Sequence, residues 1–220
     1  MRYRTVLFDF DYTLVDSSPG ILECINYAMT RMGLPTPDPE RARRTIGLSL
    51  PRTFVALTGP AMETGGQEFA RLFIERADEV MNANTTFLPD ARQVLDQLAA
   101  CRVAMGIVST KYRYRIERFL RDEGIAGMFG VVLGLEDVAA AKPDPAGLRL
   151  ALERLGRQPT EAVYVGDSVV DGEAAYRARV PFVAVLSGAT PRDAFIPHEP
   201  AAILESVADL PDYLGCPASV

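Results

Sequence analysis

The sequence predicts an α/β fold: a Rossmann-like, doubly wound parallel sheet with an α-helical domain inserted into it. Three observations carry that prediction. Short apolar runs recur along the chain, and each leads into a polar group. One long stretch of helical periodicity separates the first run from the others. After it, strand-like and helix-like segments alternate to the end of the chain, the pattern of a parallel sheet with helices on both faces.

The first run, Val6-Leu7-Phe8, reads as a buried parallel strand starting near Thr5. It leads into Asp9-Phe10-Asp11-Tyr12-Thr13. Carboxylates two residues apart can point to the same side of an extended chain. Ligands of open α/β sheets bind at the carboxyl ends of strands. Taken alone, the pair also suits two turn aspartates closing a strand. From residue 17 to about 81 the pattern is helical. Ile21, Leu22, Ile25, Ala28, Met29 and Met32 recur at three- and four-residue steps, and Gly33 suits the end of that helix. Leu34-Pro35-Thr36-Pro37-Asp38-Pro39 is a stiff connector. Helical stretches follow near 40–45, 50–57 and 67–81, broken at Thr58-Gly59-Pro60 and at Gly65-Gly66. Residues 82–88 read as a return linker, and Pro89-Asp90 opens a helix to Ala100. The expected division is therefore a core domain of residues 1–16 and 84–220, and a helical domain of residues 17–83.

Three more apolar runs follow, at 103–108, 131–133 and 162–165. The first ends in Ser109-Thr110-Lys111. The second is followed by Ala141-Lys142-Pro143-Asp144-Pro145. The third runs into Gly166-Asp167-Ser168-Val169-Val170-Asp171. Asp144 with Pro145 suits a helix cap and a first-turn proline.

Composition narrows the function. The chain has 220 residues, a net charge of −6 and 48% hydrophobic residues, which suits a globular protein able to bury a core without staples. The acidic balance disfavours a nucleic-acid surface. No apolar run is long enough to cross a membrane, and no signal-peptide segment precedes the first strand. Cytoplasm is the expected location. Cys24, Cys101 and Cys216 are odd in number and widely spaced. They are expected as buried or incidental thiols, with no disulfide framework and no zinc site. His198, the single histidine, lies in a Pro-rich loop and is expected at the surface.

Two aspartates, a hydroxyl, a lysine and two more aspartates thus stand in order at successive strand ends. This set resembles the haloacid dehalogenase superfamily, whose phosphatases carry Asp-x-Asp-x-Thr, a Ser or Thr, a Lys and Gly-Asp-x-x-x-Asp in that order. The resemblance covers nearly the whole chain and implies that the helical insert is a cap domain. Tyr12 stands where the family usually has Gly. By resemblance, Asp9 is the nucleophile that forms an aspartyl-phosphate, and Asp11 is the general acid and base. Asp9, Asp167 and the backbone carbonyl of Asp11 are implied metal ligands, with Asp171 acting directly or through water. Mg²⁺ suits four converging carboxylates and a phosphate oxygen. Lys142 is implied to neutralise the phosphate. Ser109, with Thr110 and the amides of that turn, is implied to hydrogen-bond it. Without the resemblance, Ser109 also suits a helix N-cap, Asp171 a helix N-terminus and Lys142 a solvated loop.

Asp11 sorts the family's chemistries. Its dehalogenases lack a carboxyl acid there, its phosphonate-cleaving members need a cap lysine, and residues 16–92 contain no Lys. The mutases expect a cap His and Lys, and neither is present. Asp16-Ser17-Ser18-Pro19-Gly20-Ile21 and Thr45-Ile46-Gly47-Leu48 are similar to the phosphoglycolate-phosphatase branch. Ser109-Thr110-Lys111, and the stretch from Leu135-Glu136-Asp137-Val138 to Pro145, are also similar to a pyrophosphatase branch. Arg44 and Arg52 flank Gly47 and are candidates for a substrate carboxylate or second phosphate. A solvated helix face is the alternative for both. The expectation is a Mg²⁺-dependent phosphatase acting on a small, phosphoglycolate-like monoester. The alternatives are a pyrophosphatase or phosphosugar mutase on the same fold, or a non-catalytic binding protein. The expected partner is a small phosphorylated metabolite, with no nucleic acid and no membrane, and the protein is expected as a monomer or homodimer.

Overall fold

Strand β1 (Thr5–Phe8) is buried at every position, which is why its sequence does not alternate in polarity. Val6 and Phe8 enter one hydrophobic cluster and Leu7 another. One period-two strand thus feeds the cores on both faces of its sheet. In this computed structural model residues 2–216 are described. Met1 and residues 217–220 of the expected core domain lie outside them.

After β1 comes the short β2 (Val15–Asp16), then α1 (Ser18–Arg31), α2 (Pro39–Arg43), α3 (Leu50–Thr58), α4 (Gly66–Val80) and β3 (Thr86–Phe87). Then α5 (Ala91–Ala100), β4 (Ala104–Val108), α6 (Arg113–Asp122), β5 (Phe129–Leu133) and α7 (Ala146–Leu155) follow. The chain continues through β6 (Ala162–Gly166), α8 (Val169–Ala178), β7 (Phe182–Val185), β8 (Ala202–Leu204) and α9 (Leu210–Leu214). By contacts it divides into two units. One joins Met1–Val15 to Phe87–Val220, and the other is Asp16–Thr86.

In the α/β unit six strands lie in the order β5-β4-β1-β6-β7-β8, all parallel. Numbered along the chain within this sheet, the order is 3-2-1-4-5-6, the doubly wound order. The chain builds outward from β1 through β4 and β5, then returns to β1's other edge with β6. The carboxyl ends of β1 and β6 therefore form the switch point, where such folds bind ligands. Helices α5, α6 and α9 bury Leu95, Leu98, Ile116, Phe119, Leu210 and Leu214 on the face of Val6 and Phe8. Helices α7 and α8 bury Leu148, Leu152, Ala174 and Ala175 on the face of Leu7. Truncating one such side chain, as in Phe8→Ala, costs about 3–5 kcal/mol.

The helical unit has its own core. Ile25, Ala28 and Met29 of α1 pack with Phe54 and Leu57 of α3 and with Phe69, Leu72 and Phe73 of α4. Ile21, Leu22 and Met32 flank that stripe, partly buried. Gly33 takes φ +70° just past α1, the left-handed stop that glycine accepts without a Cβ clash.

Two expectations from the sequence are corrected. Cys101 and Cys216 form a disulfide across a sequence separation of 115, so they are not incidental thiols. Cys101 follows α5 and Cys216 follows α9, and both helices pack on one face of the sheet. Linear spacing carries no signal for such a closure. Cys24 is buried in the helical unit. His198 is half-buried rather than at the surface: a Cβ on Gly172 would come within 3.0 Å of its own Cβ. Among the described residues, no helix is long and apolar enough to cross a membrane.

Candidate active site

Asp9 follows β1, and its amide still donates to the Val165 carbonyl of β6 at 2.9 Å. The strand pairing therefore carries its side chain to the switch point. The chain then folds tightly, with the amides of Leu14 and Val15 both donating to the Phe10 carbonyl, at 2.9 and 3.1 Å. Tyr12 has φ 57° in this turn. That left-handed value explains why a glycine suits the position, and a tyrosine there costs on the order of 1 kcal/mol. The turn is held by the Tyr12 amide on the Val15 carbonyl at 2.7 Å and by the Ser187 hydroxyl, which donates to the Tyr12 carbonyl. Thr13 is buried and donates to Asp167 Oδ1 at 3.3 Å.

Asp167 follows β6, and Asp171 lies in the first turn of α8. Asp9, Asp167 and Asp171 are all buried, and one carboxylate oxygen of each lies within 4.8 Å of the others. Gly188 faces Asp167 so closely that a Cβ would fall 1.9 Å from its Oδ2. Only glycine leaves room for that carboxylate. Asp171 is well satisfied. The Ser168 amide and hydroxyl donate to its Oδ2, in a capping box. The Tyr164 hydroxyl and Lys142 Nζ lie 2.9 and 2.5 Å from its Oδ1. Its sequence pattern thus has both meanings, helix cap and site carboxylate.

Lys142 is the hub. Its Nζ lies 2.9 Å from Asp9 Oδ1 and 2.5 Å from Asp171, with the Tyr164 hydroxyl at 3.0 Å. The reading of Lys142 as a solvated loop residue is excluded, because its side chain is 4% exposed. Ser109 is buried at the end of β4. Helix α6 begins only at Arg113, and its first amides, of Arg113 and Tyr114, donate to Glu136 at 2.9 and 3.4 Å. Glu136, not Ser109, caps α6. The Ser109 hydroxyl instead accepts from the Lys111 amide at 3.3 Å and hydrogen-bonds Asp9. Thr110 stands half-buried beside it.

Three carboxylates converge here, not four. The carboxylate of Asp11 is drawn to Lys111 instead, with Nζ 2.9 and 3.2 Å from its two oxygens. Arg44 and Arg52 are exposed residues of the helical unit, just after α2 and within α3 respectively.

Burial dominates the electrostatics. It pushes the Asp9 carboxyl from 3.8 up to about 6, against the pull of Lys142 and with the push of Asp171. Asp167 is raised well above the usual carboxylate range by burial, then by the charges of Asp171 and Asp9. Burial pulls the Lys142 ammonium down, but Asp171 and Asp9 outweigh it, so it stays charged. The site is short of positive charge. Three buried, all-oxygen side chains with too little cation between them fit a hard divalent ion.

Two residues of the site stand out only in the structure. Tyr164 sits in the run 162–165, and a hydroxyl inside a fully buried strand was the signal for a polar partner. The sequence alone gives Lys111 a place in a pattern and no role. The signal was its place two residues past the strand-end serine.

A doubly wound sheet with buried aspartates and a lysine at its switch point defines a class, and sequence comparison assigns it. The haloacid dehalogenase-like hydrolase family matches residues 6–185, and the chain belongs to that family. It is 31% identical to a phosphoglycolate phosphatase of Yersinia pseudotuberculosis, covering 98% of this chain and 94% of that protein. A phosphoglycolate phosphatase of Escherichia coli K12 is 32% identical at the same coverage. The solved structure of a haloacid dehalogenase-like hydrolase from Bacteroides fragilis superposes with a TM-score of 0.91, at 40% identity over 94% of this chain and 99% of that one.

Proposed function

We propose that this protein is a Mg²⁺-dependent phosphatase that hydrolyses a small phosphate monoester of the phosphoglycolate type through an aspartyl-phosphate on Asp9. The observation that supports it most is the Asp9 carboxylate at the switch point, 2.9 Å from Lys142 and clustered with Asp167 and Asp171. The relatives named phosphoglycolate phosphatase support the substrate type.

In this reading an Asp9 oxygen attacks phosphorus, and the bond from phosphorus to the leaving oxygen breaks. Asp11 gives that oxygen its proton. Asp11 then takes a proton from water, whose oxygen attacks phosphorus and releases Asp9 and inorganic phosphate. Lys142 keeps Asp9 ionised and faces the phosphoryl oxygens. Ser109 and Thr110 position them, and Asp171 with Tyr164 fixes Lys142. Asp9, Asp167 and the Asp11 carbonyl would hold Mg²⁺, with Asp171 behind them, and the ion would supply positive charge to the phosphoryl group. Positioning and charge are most of what phosphoryl transfer needs.

Arg44 and Arg52 belong to this reading as candidates for an anion on the leaving group. Cytoplasmic placement belongs to it too, and the Cys101–Cys216 bond weighs against that placement, because reducing compartments keep thiols apart.

The test is phosphate release from small esters. Chelator should abolish it, Mg²⁺ should restore it and Ca²⁺, with its looser coordination, should not. Asp9→Asn should lose on the order of 10⁴-fold or more in turnover. Full activity in excess chelator, or a near-native rate for Asp9→Asn, would remove the mechanism.

A further inference from the structure

The chain's 23 basic residues include only two lysines, Lys111 and Lys142. Both sit on carboxylates at the carboxyl end of the sheet, with side chains 7% and 4% exposed. The arginines of the described ion pairs lie at the surface, 32% exposed or more, as at Arg76 and Arg43. Lys142 has a place in the chemistry, and Lys111 has none yet.

Lys111 engages both oxygens of Asp11, at 2.9 and 3.2 Å. Its amide is tied to the Ser109 hydroxyl, and its Nζ stands 5.8 Å from the centre of the Phe10 ring. The backbone is thus anchored, while the ammonium ends a long stem. While it holds both oxygens, a substrate oxygen that is to meet Asp11 must compete with the ammonium. Yet Asp11 is the group that must reach the leaving oxygen, so the ammonium lies beside the leaving side of the substrate. A lysine suits an exchange of partners better than an arginine, because it is a compact charge on a flexible stem rather than a rigid fork.

We propose that Lys111 is a specificity-determining residue. Its ammonium clamps Asp11 in the state seen here, then passes to a second anion on the leaving side of the substrate, which frees an Asp11 oxygen for the reaction. The proposal rests on the phosphatase reading above. The preferred substrate is then a phosphate ester whose leaving group is itself anionic, and the anion replaces the carboxylate that Lys111 gives up.

The experiment compares wild type, Lys111→Met and Lys111→Arg on three substrates: 2-phosphoglycolate, pyrophosphate and p-nitrophenyl phosphate. For Lys111→Met, kcat falls on all three, because Asp11 loses its anchor. KM rises roughly tenfold or more only where the leaving group carries the second anion, the size of one lost charge-assisted contact. Whether 2-phosphoglycolate, pyrophosphate or both show that rise tells whether Lys111 reads a carboxylate, a phosphate or either. Lys111→Arg restores most of the KM difference. An equal effect on all three substrates with KM unchanged overturns the proposal and leaves Lys111 as a structural clamp. Wild type inert on all three would overturn it by removing the phosphatase reading itself. Should Lys111→Met melt below assay temperature, Asp11→Asn/Lys111→Met takes its place, since it removes both members of the pair. Calorimetric affinity for 2-phosphoglycolate should then fall roughly tenfold from that of Asp11→Asn alone, and equal affinity overturns the proposal.

Discussion

In the helical unit, Arg71 reaches Glu68 and Glu75 from a side chain that is 58% exposed. In the α/β unit, Lys142 is 4% exposed and lies between Asp9 and Asp171. Both arrangements put one cation between two carboxylates, and physically they are opposites. The first lies along one helix face at three- and four-residue spacing, where water screens it and it adds little to stability. The second took its charges out of water, and its Coulomb attraction must offset a desolvation cost of several kcal/mol per ion. A hydrophobic core would be easier to stabilise. A buried charge cluster of this kind costs stability that the proposed chemistry would justify, whereas an exposed one needs no such reason.

The largest test of that contrast is Lys142→Met. It should leave Asp9 and Asp171 buried without their cation, destabilising the metal-free protein by about 3–5 kcal/mol. Turnover of the folded fraction should fall by on the order of 10³-fold if, as proposed, the charge acts on the phosphoryl group. Denaturant melts and active-fraction kinetics separate the two effects. A lower melting temperature with normal specific activity in the folded fraction would make Lys142 a structural ion and erase the contrast.

Next in size is the pH dependence of stability. Burial raises the Asp9 carboxyl from 3.8 to about 6, so between these values the folded protein holds a proton that the unfolded chain has released. The contribution of Asp9 to stability therefore falls as pH rises through that window, and it is flat above it. Asp9→Asn removes its share of the slope and leaves that of Asp167, which is raised in the same direction. In chelator the variant should gain up to roughly 3 kcal/mol on wild type between pH 4 and pH 7. Urea midpoints at the two pH values check this. A difference independent of pH would mean that the Lys142 ammonium fully offsets the burial of Asp9.

The smallest effect sharpens the other side. Arg71→Ala should move the urea midpoint only slightly, less still in high salt, and leave turnover alone. A midpoint shift as large as that of Lys142→Met would show that exposure is a poor guide to the worth of these pairs.

Much of this was legible in the sequence. The runs 6–8, 103–108 and 162–165 announced buried strands, because parallel strands covered on both faces lose polar alternation. The strand-end residues Asp9, Ser109 and Asp167 followed from that reading. The α1 stripe, the stop at Gly33 and the short helices between the proline and glycine breaks were legible for the same local reasons. Strands β7 and β8, four and three residues long, are not legible in the sequence, since so few residues show no period of their own.

The sequence by itself thus determined the class of fold and the order of the candidate groups along it, because period, turn chemistry and strand ends are local properties of a chain. Only the tertiary structure decided which of those groups meet. It turned Asp11 away from the other three aspartates toward Lys111, a partner one hundred residues on. It set Tyr164 beneath Lys142, gave Glu136 the cap of α6, and joined Cys101 to Cys216. Each is a side-chain pairing between distant segments. Such pairings depend on where the sheet order brings strand and helix ends together, and linear spacing does not encode that.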